Sequence, residues 1–306
     1  MLPKLQKTAG SIPIRLFRSL WGLESKTQSW AGLFARIKSQ GFDGVEASLA
    51  DIGWYHDRGQ SFLRHLRSSH LSYILGLYTD WDDYEGSPTR HTHAQHAAQL
   101  QDQLGCALTL KSPAPIHINI HGGSDRLSVG TAASFFRDAS ALLNHLGIPS
   151  SRVSFETHRG RCLYSPWPTS LYLQQCPNLN LTLDMSHWVL VTESLLDSKE
   201  DKKWLQNEVI PRVRHVHARI GSPQQSQLPY FSLSKCTEDK GALYYETCRL
   251  RFEEIWKLCR RQGCVTFTVE YGPPPYAPFS TSNDFLTVLI TAEANRLRQL
   301  LDVSLE

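Results

Sequence analysis

The sequence predicts an α/β fold, a single (β/α)8 TIM barrel spanning residues 1–306. Two observations carry this. Eight short apolar segments each precede a longer amphipathic stretch, the pattern of parallel strands joined by crossover helices, and ~250 residues is typical for eight such units closed on themselves. In addition, no G-x-G-x-x-G follows the first apolar segment, and no Pro/Gly/Ser-rich linker or composition shift marks a second domain, which sets a doubly wound open sheet behind the barrel.

In chain order, IPIRLF (12–17) precedes a helix-like stretch at 28–40, FDGVEAS (42–48) one at 58–69, LSYILGLY (71–78) one at 90–105, and PIHINIH (115–121) one at 129–146. RVSFETH (152–158) leads into the weakest unit, 165–177, where SPWPTSLYLQQC has room for only a short helix. LNLTLDM (179–185) precedes 197–209, VRHVHARI (213–220) precedes 248–262, and VTFTVEY (265–271) precedes 282–302.

Composition narrows the function classes. With 41 % hydrophobic and 20 % charged residues the chain is ordinary globular protein, and its net charge of +3 is scattered rather than gathered into the basic stripe of a nucleic-acid module. A small-molecule partner is expected, with no nucleic acid and no membrane, and with room for a homo-oligomer. Seven cysteines form no C-x-x-C pair and no even-numbered framework, which suits reduced thiols and a cytoplasmic setting. No apolar run reaches the ~18 residues of a membrane span.

Parity within the strands locates the chemistry. Side chains alternate faces, so Val265, Phe267 and Val269 oppose Thr266, Thr268 and Glu270. The split recurs in Val153 and Phe155 against Ser154, Glu156 and His158, in Leu181 and Leu183 against Thr182 and Asp184, and in three isoleucines against His117, Asn119 and His121. The apolar face must meet the helices, so the polar face points into the barrel. Each ionisable group falls at a strand's carboxyl end, where this architecture builds its sites.

Several carboxylates at one mouth raise each other's pKa unless a positive charge stands among them, and a divalent cation supplies it. Glu156, Asp184, His217 and Glu270 come from four successive strands. Three carboxylates and one imidazole make a mostly hard set, so one divalent ion is expected, Mn²⁺ first, with Mg²⁺, Co²⁺ or Zn²⁺ as alternatives. The competing view pairs the two glutamates with arginines such as Arg219 and makes His217 a core histidine. By parity Glu46 and His121 also point inward, where they could bind hydroxyls. His158, Arg159 and Arg161 form a basic cluster that could hold a carboxylate or phosphate, unless it is solvated loop charge. Trp21, Trp54, Trp81, Trp167 and Trp188 fall after or between strands and could cover a sugar face. The polar stretch over 221–243 could be a lid.

VSFETHRGR, LTLDMSHW with its D-x-x-H, HVHARIG and VEYGP together resemble the xylose isomerase-like TIM-barrel superfamily, in particular its sugar phosphate isomerase/epimerase branch. The resemblance implies that Glu156, Asp184, His217 and Glu270 hold the metal and that Glu156 and Glu270 are the acid/base pair. It implies that His187 and Arg219 touch substrate, although His187 could instead cap a helix and Arg219 could pair with an acid. The expected reaction is proton transfer on a sugar or polyol-like molecule through a metal-stabilised enediolate. Elimination by a lyase of the same superfamily is the alternative. The apurinic endonuclease branch fits less well, because the third strand ends GLYTDW without histidine and no D-x-H follows His217. A non-catalytic binding barrel is the remaining reading.

Overall fold

The eight apolar segments form eight parallel strands that close into a barrel in sequence order, in a computed structural model that describes residues 13–23, 29–53, 58–80, 91–228, 240–277 and 280–302. The strands are β1 (Arg15–Ser19), β2 (Gly44–Ser48), β3 (Ser72–Tyr78), β4 (His117–His121), β5 (Val153–Glu156), β6 (Leu181–Leu183), β7 (Val213–Ala218) and β8 (Thr266–Val269). The ring closes where β1 pairs with β8, from Arg15 opposite Thr266 to Arg18 opposite Val269. β6 and β7 shift register after Leu181, so that Thr182 faces His215 and the exposed Arg214 is skipped.

Around the barrel lie α1 (Trp30–Ser39), α2 (Gly59–Ser68), α3 (His93–Thr109), α4 (Val129–His145), α5 (Pro166–Gln175), α6 (Met185–Thr192), α7 (Lys199–Trp204), α8 (Lys240–Arg261) and α9 (Asn283–Asp302). Their starts are set by polar caps. Ser29, Thr92, Ser128 and Ser198 each accept a backbone N–H of the first turn, and Thr92 with Gln95 forms a reciprocal capping box. The outward strand residues meet the apolar helix faces in one continuous core that includes Phe34, Phe62, Ile120, Phe136, Phe155, Val216, Phe267 and Val269.

Three helical regions differ from expectation. α6 is unforeseen, starting at the last residue of the expected strand segment 179–185 and running through a stretch with no expected element, because MSHWVLVT has no polar stripe and its cap, Asp184, reads as a ligand. α8 begins at Lys240 rather than 248, since Leu243 and Tyr244 near its start are exposed and give no apolar period. The expected helix at 197–209 is α7 followed by a π turn over Leu205–Val209, and a 3-10 turn over Ile210–Arg212, with Pro211 in it, then feeds β7.

The barrel interior is polar. His117 Nε2 lies 2.6 Å from Ser154 Oγ, which is 2.6 Å from Thr182 Oγ1. His215 Nδ1 is 3.0 Å from the Thr266 carbonyl. Gly44 is required where β1, β2 and β3 crowd, because a Cβ there would strike the Ser72 carbonyl and the Phe17 ring. No helix among the described residues is long and apolar enough to cross a membrane. The six described cysteines are unpaired, and Cys236 lies outside the described residues.

Candidate metal centre at the barrel mouth

The carboxyl ends of β5 to β8 bring Glu156, Asp184, His217 and Glu270 together, each offering one ligand atom within 4.8 Å of the others. Glu156 ends β5, Asp184 follows β6 as the cap of α6, His217 is in β7, and Glu270 follows β8. His217 Nδ1 lies 3.5 Å from Glu156 Oε2 and 3.1 Å from Glu270 Oε2. The charge in VSFETH is thus one corner of a buried cluster.

Two observations show that this set suits a cation. Glu156 Oε1 and His217 Nδ1 are buried without a hydrogen-bond partner, and such atoms are costly unless something fills the space between them. The donors, carboxylates and an imidazole, match a hard or borderline divalent ion. Asp184 is already engaged. Its Oδ1 accepts from the Ser186 amide at 2.9 Å and the Ser186 hydroxyl at 2.6 Å, while Oδ2 pairs with Arg219. An ion that uses Asp184 must share it with Arg219.

Glu46 stands behind His217. Its carboxylate accepts from His217 Nε2 at 3.0 Å, His215 Nε2 at 3.2 Å, Asn119 Nδ2 at 3.1 Å and the Thr268 hydroxyl. A carboxylate can only accept, so His217 carries hydrogen on Nε2 and turns Nδ1 toward Glu156 and Glu270. The oxygens expected to meet substrate hydroxyls are therefore occupied within the protein.

The electrostatics follow from burial and crowding. Burial would push Glu156 up, yet His121 and His217 hold its carboxyl well below the usual range. Glu46 behaves likewise between His217 and His215, against the same penalty of burial. Burial disfavours charge on His217, but Glu156, Glu270 and Glu46 overcome it and raise the imidazole well above its ordinary value. Asp184 is raised by burial, with Glu270 adding to that and Arg219 opposing it.

The other expected residues divide. His121 joins the centre, with Nε2 2.7 Å from Glu156 Oε2 and its ring stacked on Tyr78 at 4.2 Å. His187 Nε2 accepts from Arg219 at 3.0 Å and lies 3.6 Å from Asp184 Oδ2. Arg219 does pair with acids, Asp184 and, at 3.5 Å, Glu270. The His158 ring centroid is 3.8 Å from that of His187, and its Nδ1 lies 2.5 Å from the Arg159 carbonyl. With His121 and Glu156 it forms a second cluster of ligand-type atoms, and Glu46, His215 and His217 form a third.

Of the tryptophans, Trp21 lines the mouth and meets Tyr276 edge-on at 4.8 Å. It fits because Gly272 has no Cβ, which would strike the indole. Trp188 is a core residue donating to the Leu163 carbonyl at 2.8 Å, and Trp167 is 72 % exposed on α5, so neither covers the mouth. Trp54 and Trp81 lie outside the described residues, as does 229–239 of the expected lid. Asn119 was placed inward by parity but given no site role, and His215 and Tyr276 were not expected. Parity could have found His215, two residues before the inward His217, whereas Tyr276 follows β8 in a Pro-rich turn with no periodic signal.

No protein-family model matches the chain, and no curated protein matches it in sequence. Solved structures match over nearly the whole length. A probable 3-DHS dehydratase of petrobactin synthesis from Bacillus anthracis aligns with a TM-score of 0.61 at 13 % identity, covering 93 % of this chain and 98 % of that one. A D-tagatose 3-epimerase-like protein gives 0.61 at 16 % identity, covering 95 % and 98 %. A putative xylose isomerase from Rhodospirillum rubrum gives 0.60 at 12 %, covering 95 % and 99 %. At these identities the likeness is one of fold, the closed (β/α)8 barrel.

Proposed function

We propose that the protein is a divalent-metal-dependent isomerase or epimerase that moves a proton on a carbon beside a carbonyl in a sugar or polyol-like small molecule. The observation that carries this is the pair Glu156 and Glu270, whose carboxylates reach the same nitrogen of His217 at 3.5 and 3.1 Å within a four-residue ligand cluster. Glu156, Asp184, His217 and Glu270 would hold the ion. Bound there, Mn²⁺ or a similar ion supplies Lewis-acid polarisation of the substrate carbonyl.

The protein's own residues do the rest. Glu156 has His121 and Asn119 on Oε2, each at 2.7 Å, and a bare Oε1. The carboxylate takes the proton, and the two donors on Oε2 keep it ionised before it does. Glu270, whose side chain is 15 % exposed against 1 % for Glu156, meets substrate from the open side and returns a proton on the other face. Arg219 and His187 orient hydroxyls next to Asp184. Burial excludes water that would compete for the proton.

A second reading, elimination by a lyase, is favoured by the match to the probable dehydratase, since the same deprotonated carbon can expel a β-hydroxyl instead. Incubating Mn²⁺-loaded protein in D₂O with ketoses, inosose-like cyclitols and dehydroshikimate-like acids separates the two. Deuterium incorporation with rearranged product supports the isomerase, and loss of water supports the lyase. Neither event with any class would overturn both.

A further inference from the structure

Three guanidinium groups stand around the mouth, and they differ in what is left to do. Arg219 has its charge met by Asp184 and, at 3.5 Å, Glu270. Arg161 is fully buried, 5.9 Å over the Tyr78 ring. Arg159 is half-buried, and no carboxylate of the described residues lies within ion-pair distance of it. Its guanidinium is held 4.9 Å over the ring of Tyr276 and hydrogen-bonds to the phenol. Arg219 sits 5.3 Å over the same ring. One tyrosine therefore spaces a guanidinium in the centre from another at its rim.

That rim opens into a cavity of ≈ 770 Å³ between the β7 and β8 loops and the starts of α8 and α9. Tyr276 lines both this cavity and the mouth. The cavity's described lining is apolar rings together with the neutral side chains of Ser222, Gln224 and Gln225, and Arg159 is its one charged residue. A half-desolvated guanidinium among neutral described side chains is favourable ground for a planar or tetrahedral anion, which it can meet with two parallel N–H donors.

We propose that the substrate carries a carboxylate or phosphate several bonds from its reacting carbon, and that Arg159 binds this group at the rim. The inference rests on the reaction proposed above and narrows its substrate class from sugars and polyols of any charge to acidic ones. Arg159 is then a specificity-determining residue that touches substrate away from the chemistry.

The test is calorimetric titration of the Mn²⁺-loaded protein at fixed ionic strength with two matched pairs, D-fructose against D-fructose 6-phosphate and quinamide against quinate. The expected result is that the anionic member of one pair binds about 10- to 100-fold more tightly than its neutral partner, the range for a charge-assisted bidentate contact. Which pair shows it distinguishes phosphate from carboxylate. Arg159→Gln should erase that preference and leave the neutral ligand unchanged, and Arg159→Lys should restore part of it. No preference in either pair, whether all four bind alike or none binds, overturns the proposal, as does a preference that survives in Arg159→Gln. Because binding is read without turnover, an absence of C–H exchange alongside an intact anion preference would sink the isomerase reading alone.

Discussion

Glu156 combines two states that rarely meet in one side chain: one oxygen saturated by His121 and Asn119, the other buried and bare. Replacing it with Gln preserves volume and an oxygen for the ion but removes the base, so fold and Mn²⁺ binding should persist while exchange of the substrate C–H falls about 10²- to 10⁴-fold. Glu270→Gln should do the same. Exchange near the wild-type rate in both, with the ion bound, would leave the two carboxylates as ligands only. His217→Ala should instead lose affinity for the ion first and regain activity at high Mn²⁺. In the proposed centre Glu46, which contacts His217 Nε2, would act through it as a positioning residue. Glu46→Gln should weaken Mn²⁺ binding about 10- to 100-fold, with the Michaelis constant at saturating ion little changed. Unaltered affinity in a titration would reduce Glu46 to packing. These inward side chains were legible from alternation alone, because a strand has only two faces. That Glu46 serves another residue was not legible, since parity gives direction and not the neighbour reached.

Among the elements, the strands could be read to within a few residues while three of the helical segments could not, and the reason is physical. A strand buried on both faces is short, apolar and bounded, but a helix announces itself only when one face is wet. α6 is mostly buried, and the first turns of α8 are largely exposed, so neither shows a stripe. The packing between elements gives its own prediction. Gly44→Ala would drive a methyl against the Ser72 carbonyl and the Phe17 ring, backbone on one side and a rigid ring on the other. It should cost about 1–3 kcal/mol in chemical denaturation. A neutral result would mean that β1 and β2 can part more easily than their pairing suggests.

For the molecule as a whole, the polar barrel interior sets acid sensitivity. An unfolded histidine takes up a proton near pH 6.5, whereas burial, with His215 adding to it, pushes folded His117 down to about 3. Between those values only the unfolded chain binds the proton. Stability is therefore full above pH 6.5 and falls below it, by at most about 1.4 kcal/mol per pH unit from this residue. Denaturation at pH 7.5 and 5.5 should show the fall, and His117→Asn should lessen it, the buried His158, His187 and His96, also pushed down, keeping the rest. If the variant does not fold, NMR titration of the wild type should find the His117 ring neutral at pH 4.5. Metal analysis should return one tightly held divalent ion per chain, because β3 ends in Tyr78 rather than a histidine. Three stoichiometric zinc ions, or cleavage of abasic DNA, would contradict this. The closure of β1 on β8 bears on how the chain is made. Arg15–Ser19 leaves the ribosome with one edge unpaired, and its partner Thr266–Val269 follows about 250 positions later. At ~5–20 residues per second that edge waits tens of seconds during synthesis. It is there, before the ring exists, that the nascent protein is most open to capture by another strand or a chaperone.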